Sequence, residues 1–468
     1  MSSKHFLLRG TIILTAAGLI SRLMGFFFRI FLSHAFGEES VGLYQLIFPV
    51  YALCLSLSTA GLQTAVSRMT AAKAALGKEK EARSVLGIAL SLTLTVSFIE
   101  ILLVQQNAEW IAQSFLGDLR CTEMLLLISY ALPCAAIHSC ICGYSFGLQR
   151  TELPAISQLI EQSVRILFVL LLFFIQQKTG STPTIRLATA GITAGELASA
   201  LFAVRCLSRE RTDGRPVSQT ARQSSRRFPG HVRAGLHQAR KTIRELLTLS
   251  LPLTASRVTV TLLQSIEAAS IPACLKFHGL TGSEALSLYG VLTGMAMPCI
   301  LFPSAITGSV GTVLMPAVSA TQASGSRTAI IRLLKKAVGS CLILGLACCL
   351  FFLIFGRLIG QLLFHSSTAG KFILTLAWIC PFLYTNTALT SAINGLGKTG
   401  CTFLINASGL LIRIAGVFLA IPAFGMQGYL WGLLLSQLVV SVLSVAVLLT
   451  AAQRGKPSPE SGLHTAPE

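Results

Sequence analysis

Charged residues are scarce in this chain: Asp, Glu, Lys and Arg make up 12% of 468 residues, about half of what a soluble domain carries. With hydrophobic residues at 53%, so small a polar supply cannot cover a water-soluble fold, and a soluble protein is excluded. Acidic residues are scarcer still, 18 against 37 basic ones. In a soluble protein a net charge of +19 would point to nucleic acid. Here the basic residues gather in the segments that the positive-inside rule assigns to the cytoplasm, so the charge orients the chain in a membrane and no nucleic-acid partner is expected.

Paired cysteine spacing is also missing. None of the 13 cysteines stands in a CxxC pair, and most lie in apolar runs (Cys54, Cys134, Cys299, Cys348, Cys349), where cysteine packs as a small hydrophobe. Neither disulfides nor a metal site is expected. No GxxxxGK[ST] loop and no HExxH pattern occurs, and His138 stands alone in its span, so neither an enzyme, nor ATP-driven transport, nor a cofactor is expected. Lys4 and Arg9 precede a run that contains Arg22 and Arg29, too long and too charged for a cleaved signal.

What is abundant is apolar sequence in runs that each cross ~30 Å of hydrocarbon as a helix. The pattern predicts about 12 transmembrane helices, from 10–33 and 41–63 through 402–422 and 428–451. An even number puts both termini on one side, and Lys4, Arg9, Arg454 and Lys456 assign that side to the cytoplasm. The expected organisation is an N-lobe of six spans over 1–207, a basic cytoplasmic linker over 208–244, a C-lobe of six spans over 245–452, and a disordered cytoplasmic tail over 453–468. The linker is rich in arginine (Arg209, Arg211, Arg215, Arg226, Arg227), which draws it to anionic lipid headgroups.

The chain repeats itself. Residues 133–166 align without a gap on 381–414: Pro133 with Pro381, Gly147-Leu148 with Gly395-Leu396, Arg150-Thr151 with Lys398-Thr399, and Arg165-Ile166 with Arg413-Ile414. Ala65-Val66-Ser67 and Ala317-Val318-Ser319 likewise follow the second and eighth spans, each before a basic segment. Both halves therefore start inside, as parallel repeats. The fold class is an all-α polytopic membrane protein, two homologous six-helix lobes around a central cavity.

Charges inside spans mark candidate sites, because a central arginine costs roughly 2.5–3.5 kcal/mol on insertion scales and normally faces a wet cavity or a partner. Arg22 and Arg257 each follow a serine in the first spans of the two halves, and Arg29 lies one heptad after Arg22, where snorkelling to the interface is the alternative. Arg165 and Arg413 occupy matching repeat positions. Guanidinium forks suit a phosphate or pyrophosphate. Glu161, Glu196 and Glu267 are candidate ion-coupling acids. Glu161 stands four residues before Arg165 and can simply neutralise it, and Gly409 replaces it in the second repeat. Glu196 has no partner nearby in sequence. Glu267 falls near the end of its span, where hydration is cheap.

The run Ser21-Arg22-Leu23-Met24-Gly25-Phe26-Phe27-Phe28-Arg29 resembles the first helix of the multidrug/oligosaccharidyl-lipid/polysaccharide exporter superfamily. Glu284-Ala285-Leu286-Ser287-Leu288-Tyr289-Gly290, the segment Leu292 to Pro298, Phe302-Pro303-Ser304 and Asn394-Gly395-Leu396-Gly397-Lys398 narrow the resemblance to the stage V sporulation protein B and polysaccharide exporter family. That resemblance implies a lipid-linked sugar as cargo; membrane lipids are expected partners, and a proton, sodium or the membrane potential are the alternatives for the driving force. A monomer suffices, and cavity arginines engage the head group. Arg22 is the first carry-over, then Arg29, then Arg257 by repeat symmetry. Three departures point away from lipid II itself: Ile30 follows Arg29 where aspartate is usual, the second span reads Pro49-Val50-Tyr51-Ala52 without an arginine pair, and twelve spans are placed where such flippases have fourteen.

The leading expectation is a flippase that moves a polyprenyl-pyrophosphate-linked oligosaccharide or cell-wall precursor, the spore cortex included, across the cytoplasmic membrane by alternating access. The alternative is a MATE-type cation-coupled multidrug exporter. A scaffold that recruits envelope enzymes through the basic linker is the third reading.

Overall fold

The computed structural model describes residues 3–212, 231–323 and 327–454, and every regular element among them is helical. Residues 213–230 of the basic linker and the tail from 455 onward lie outside the described residues. The long helices, in chain order, are α1 (Ser3–Leu55), α2 (Gly61–Ala75), α3 (Glu79–Gln106), α4 (Cys121–Ser129), α5 (Ala131–Gly147), α6 (Glu152–Lys178), α7 (Arg186–Thr212), α8 (His231–Phe277), α9 (Gly282–Gly290), α10 (Ser304–Ala323), α11 (Arg327–Phe364), α12 (Ser367–Ala377), α13 (Cys380–Gly395), α14 (Thr399–Ala415) and α15 (Ile421–Arg454). Among the described residues, eight helical runs are long and apolar enough to cross a membrane, or ten if the bent pairs α4–α5 and α12–α13 are each one span. Two of those runs break at a glycine with non-helical backbone, Gly37 (φ 77°) and Gly425 (φ 61°). Dividing each run there gives the twelve spans read from the sequence.

The repeat is visible in the backbone. The pair α4–α5 bends by 40° and α12–α13 by 54°, just before Pro133 and at Pro381. Proline lacks the N–H that would continue the helical ladder, which accounts for a bend at the same place twice. At their far ends α5 and α13 close alike. Gln149 N–H donates to Phe146 O at 2.9 Å and Arg150 N–H to Ser145 O at 2.8 Å; Gly397 N–H donates to Asn394 O at 3.0 Å and Lys398 N–H to Ile393 O at 3.1 Å. This double bond pair with a left-handed residue is a Schellman cap. The left-handed position holds Gly397 (φ 77°) in one half and Gln149 (φ 61°) in the other. π-helical turns follow α1 at Ser56–Ala60 and α9 at Val291–Ala296, at positions that the repeat does not match.

The chain divides into two compact units, Met1–Pro298 with Leu363–His365, and Cys299–Leu362 with Ser366–Glu468. In the first, α2, α3 and α5 pack through Leu62, Val66, Met69, Val85, Leu86 and Ile141, with many small residues between. Small side chains let helices approach where no hydrophobic effect drives them together. The loop after α3 carries an ion cluster in which Arg120 pairs with Asp118 at 2.8 Å and with Glu39 at 2.7 Å. In the second unit Leu314, Val318, Ala337, Cys341, Ala388 and Ala392 form a matching core. There Ser319 donates to Gly395 O at 2.6 Å, and Tyr384 to Ile300 O at 2.7 Å.

Candidate functional site

The site is built where α6 and α7 lie against each other. Gly191 and Gly195 are four residues apart on α7. A Cβ at Gly195 would stand 2.7 Å from Glu161 O and 3.2 Å from Arg165 Cβ, so only glycine permits this approach. The close contact carries the next residue, Glu196, into the unit's interior, where 7% of it is exposed. Tyr51, from the part of α1 after Gly37, donates its hydroxyl to Glu196 Oε1 at 3.1 Å.

His138 reaches the same point from α5. Its Nε2 lies 2.8 Å from Ser157 Oγ, and Ser157 donates its own hydrogen to Pro154 O at 3.0 Å. With that hydrogen engaged, Ser157 accepts from His138 Nε2–H, which leaves Nδ1 of a neutral ring as a bare lone pair. Nδ1 faces Glu196 Oε2 at 4.0 Å, too far for a hydrogen bond. That oxygen is buried and has no hydrogen-bond partner. Glu161 completes the group: one ligand atom each from His138, Glu161 and Glu196 lie within 4.8 Å of one another. Arg165 pairs with Glu161 across one helical turn, and its Nη1 lies 3.5 Å from Gln162 Oε1.

The sequence-predicted cations divide accordingly. Arg22, Gly25 and Arg29 share one face of α1, and a Cβ at Gly25 would lie 3.4 Å from Gln162 Nε2, so this face is laid on α6. Arg29 is half-buried and within electrostatic reach of Arg165 and Tyr44. Arg22 is exposed. Arg257, on α8, is also exposed, and Thr261 bonds its carbonyl at 2.9 Å while meeting Ser56 at 2.8 Å. Arg413 lies half-buried in the second unit on α14. Of the acids, Glu161 and Glu196 come together. Glu267 does not join them, and it is 2% exposed rather than hydrated as its place near a span end led us to expect. Burial along α8, not distance from the helix terminus, decides its surroundings.

Sequence reasoning left His138 alone and Glu196 without a partner; the structure corrects both. Tyr51 and Ser157 were missed outright. Two signals were present: the Gly191-Ile-Thr-Ala-Gly195 spacing, which marks a close helix crossing, and the repeat register, which sets a polar residue, Asn386, opposite His138.

The polysaccharide biosynthesis protein family matches residues 7–322. The chain belongs to that family. Stage V sporulation protein B of Bacillus subtilis (strain 168) is 29% identical over 448 residues, which cover 95% of this chain and 84% of the relative. Among solved structures, an inward-facing MATE-family transporter of the MOP superfamily matches with a TM-score of 0.70 at 15% identity, over 94% of this chain and 96% of the other. The lipid II flippase MurJ in an inward closed conformation matches with a TM-score of 0.69 at 15% identity, over 94% and 87%. The family member described here is a multi-pass membrane protein with the fold of these transporters.

Proposed function

We propose that the chain is a flippase that carries a polyprenyl-pyrophosphate-linked oligosaccharide or cell-wall precursor, with spore cortex peptidoglycan as one candidate, across the cytoplasmic membrane by alternating access. Both termini would be cytoplasmic, and a monomer would suffice. One observation carries the reading: the Arg22–Gly25–Arg29 face of α1 lies against α6 at Gln162, which gathers Arg29 and Arg165 within electrostatic reach of one another. Glu161 offsets one of these two positive charges, and the charge that remains suits an anion inside a membrane. A pyrophosphate accepts bidentate hydrogen bonds from both forks. Arg22 and Arg257, open and facing no acid among the described residues, are the proposed entry contacts. Arg413 stands as the counterpart of Arg165 in the second half.

Family membership and the relatives named above support a lipid-linked cargo. Glu161 and Glu196 are the proposed coupling acids for a proton or sodium, with Glu267 as a further candidate. Their cluster also favours a second reading, cation-coupled multidrug export of the MATE type, because a buried acid suits a cationic cargo. The neighbouring arginines oppose that reading, since a cation beside them is repelled.

The test is flipping of a fluorescent polyprenyl-pyrophosphate oligosaccharide in proteoliposomes, with wild type set against Arg22→Ala, Arg257→Ala and Arg165→Ala. Flipping by wild type that collapses in the variants is the expected result. Folded wild-type protein that moves no lipid-linked sugar overturns the proposal and leaves drug export as the reading to pursue.

A further inference from the structure

Histidine has no obvious place in an anion-binding face, nor in a sodium site built from oxygen ligands. We propose that His138, Glu161 and Glu196 bind a divalent transition-metal ion of the zinc class, through His138 Nδ1 and one carboxylate oxygen from each glutamate. Two independent features point there. First, the bare Nδ1 lone pair and the unpartnered Glu196 Oε2, in a residue 7% exposed, face each other at 4.0 Å with no hydrogen bond between them. Two electron-pair donors that face each other without a shared hydrogen repel until a cation stands between them.

Second, each of the three ligands is already held by an outer partner. Ser157 takes Nε2–H of His138 at 2.8 Å, Tyr51 donates to the other oxygen of Glu196 at 3.1 Å, and Arg165 pairs with Glu161. Metal-binding histidines and carboxylates are oriented by such contacts, which fix the tautomer and leave the ligating atom free. Zinc binds nitrogen and carboxylate oxygen at about 2.0–2.2 Å, so its ligand atoms stand about 3–4 Å apart. The trio, within 4.8 Å, reaches that spacing by side-chain rotation of about 1 Å. Three protein ligands leave a fourth position for water or a cargo oxygen. Imidazole selects zinc, copper, iron or nickel over sodium, magnesium or calcium, which take oxygen ligands. The repeat supplies a built-in contrast: the position matching His138 holds Asn386, whose side chain is consumed by Gln437 and Ser441.

The experiment uses full-length protein purified in detergent and stripped with a chelator. It is titrated with Co2+ in excess sodium chloride at neutral pH while the visible ligand-field bands are read, then with Zn2+ as competitor. Wild type is expected to take one equivalent that Zn2+ displaces. His138→Asn and Glu196→Gln should weaken binding by at least the ~10–100-fold that loss of an outer partner costs, and Tyr51→Phe by about that range itself. Zn2+ should raise the melting temperature of wild type and of Tyr51→Phe but not of Glu196→Gln, which keeps the test decisive if His138→Asn folds poorly. Folded wild type without bands overturns the proposal. Equal affinity in wild type, His138→Asn and Glu196→Gln overturns it too, assigning the ion to exposed His34 or His278. No lipid-linked sugar enters this measurement, so its outcome is separate from that of the flipping assay.

Discussion

The two halves of the chain share a backbone but not a chemistry. The fourth and fifth spans of the first half carry His138, Ser157, Glu161, Gln162 and Arg165; at the same register the second half carries Asn386, Ile405, Gly409, Leu410 and Arg413. Proline bends and Schellman caps recur in both. In the second half Asn386 donates to Gln437 O and Oε1, both at 3.0 Å, and accepts from Ser441 at 2.7 Å. That network is neutral and closed. In the first half two carboxylates and a histidine meet, and Glu196 Oε2 has no partner. A satisfied polar network fixes helix positions, whereas an unsatisfied one calls for a ligand. The duplicated scaffold keeps its bends and caps in both halves, while the His138–Glu161–Glu196 group lies in the first.

This contrast can be broken at graded strength. Arg165→Ala leaves Glu161 as an uncompensated charge in the interior and should cost about 3–5 kcal/mol of stability, read as a fall in melting temperature. The double variant Arg165→Ala/Glu161→Ala should recover most of that stability and none of the transport. A double variant that still flips cargo would sink the role assigned to Arg165. In the second half Asn386→Leu should cost about 1–3 kcal/mol by stranding Gln437 and Ser441 while flipping rates per folded molecule stay near wild type.

The caps sharpen the comparison further. Gln149 sits left-handed where its repeat partner is Gly397. Gln149→Gly should stabilise by about 1 kcal/mol, and Gly397→Gln should destabilise by about 1–2 kcal/mol, as left-handed backbone penalises a Cβ; thermal unfolding reads both. The smallest effect belongs to the ion cluster on the loop after α3. Burial alone would raise the Asp118 carboxyl, but hydrogen bonds from the Arg120 side chain and backbone outweigh it and hold it below the ordinary carboxylate range. A depressed carboxylate contributes stability above its unfolded pKa, near 3.9, and loses it as pH falls through the lower folded value. Arg120→Ala should therefore cost below about 1 kcal/mol at neutral pH. The difference from wild type should vanish in strongly acidic buffer and shrink in high salt.

Much of the fold was legible because membrane spans announce themselves locally. Apolar runs set the spans, Pro133 and Pro381 set the bends, and the ungapped register from Pro133 to Ile166 set the repeat. The i, i+4 spacing predicted the Glu161–Arg165 pair. The rest of the site was not legible, since it converges from four separate segments. Tyr51 comes from α1, His138 from α5, Ser157 and Glu161 from α6, and Glu196 from α7. Only the packing of α7 on α6 at Gly195 brings them to one point. Glu267 shows the same limit: its depth follows from what packs over α8, which no spacing along the chain encodes.

The proposed coupling pair, Glu161 and Glu196, meets His138 in the first half. The most direct test of that pair combines His138→Asn with Glu196→Gln and measures the initial rate of flipping in proteoliposomes. A marked fall in that rate, in a protein that remains folded, is the expected result. An unchanged rate in the folded double variant would overturn the coupling role proposed for the pair.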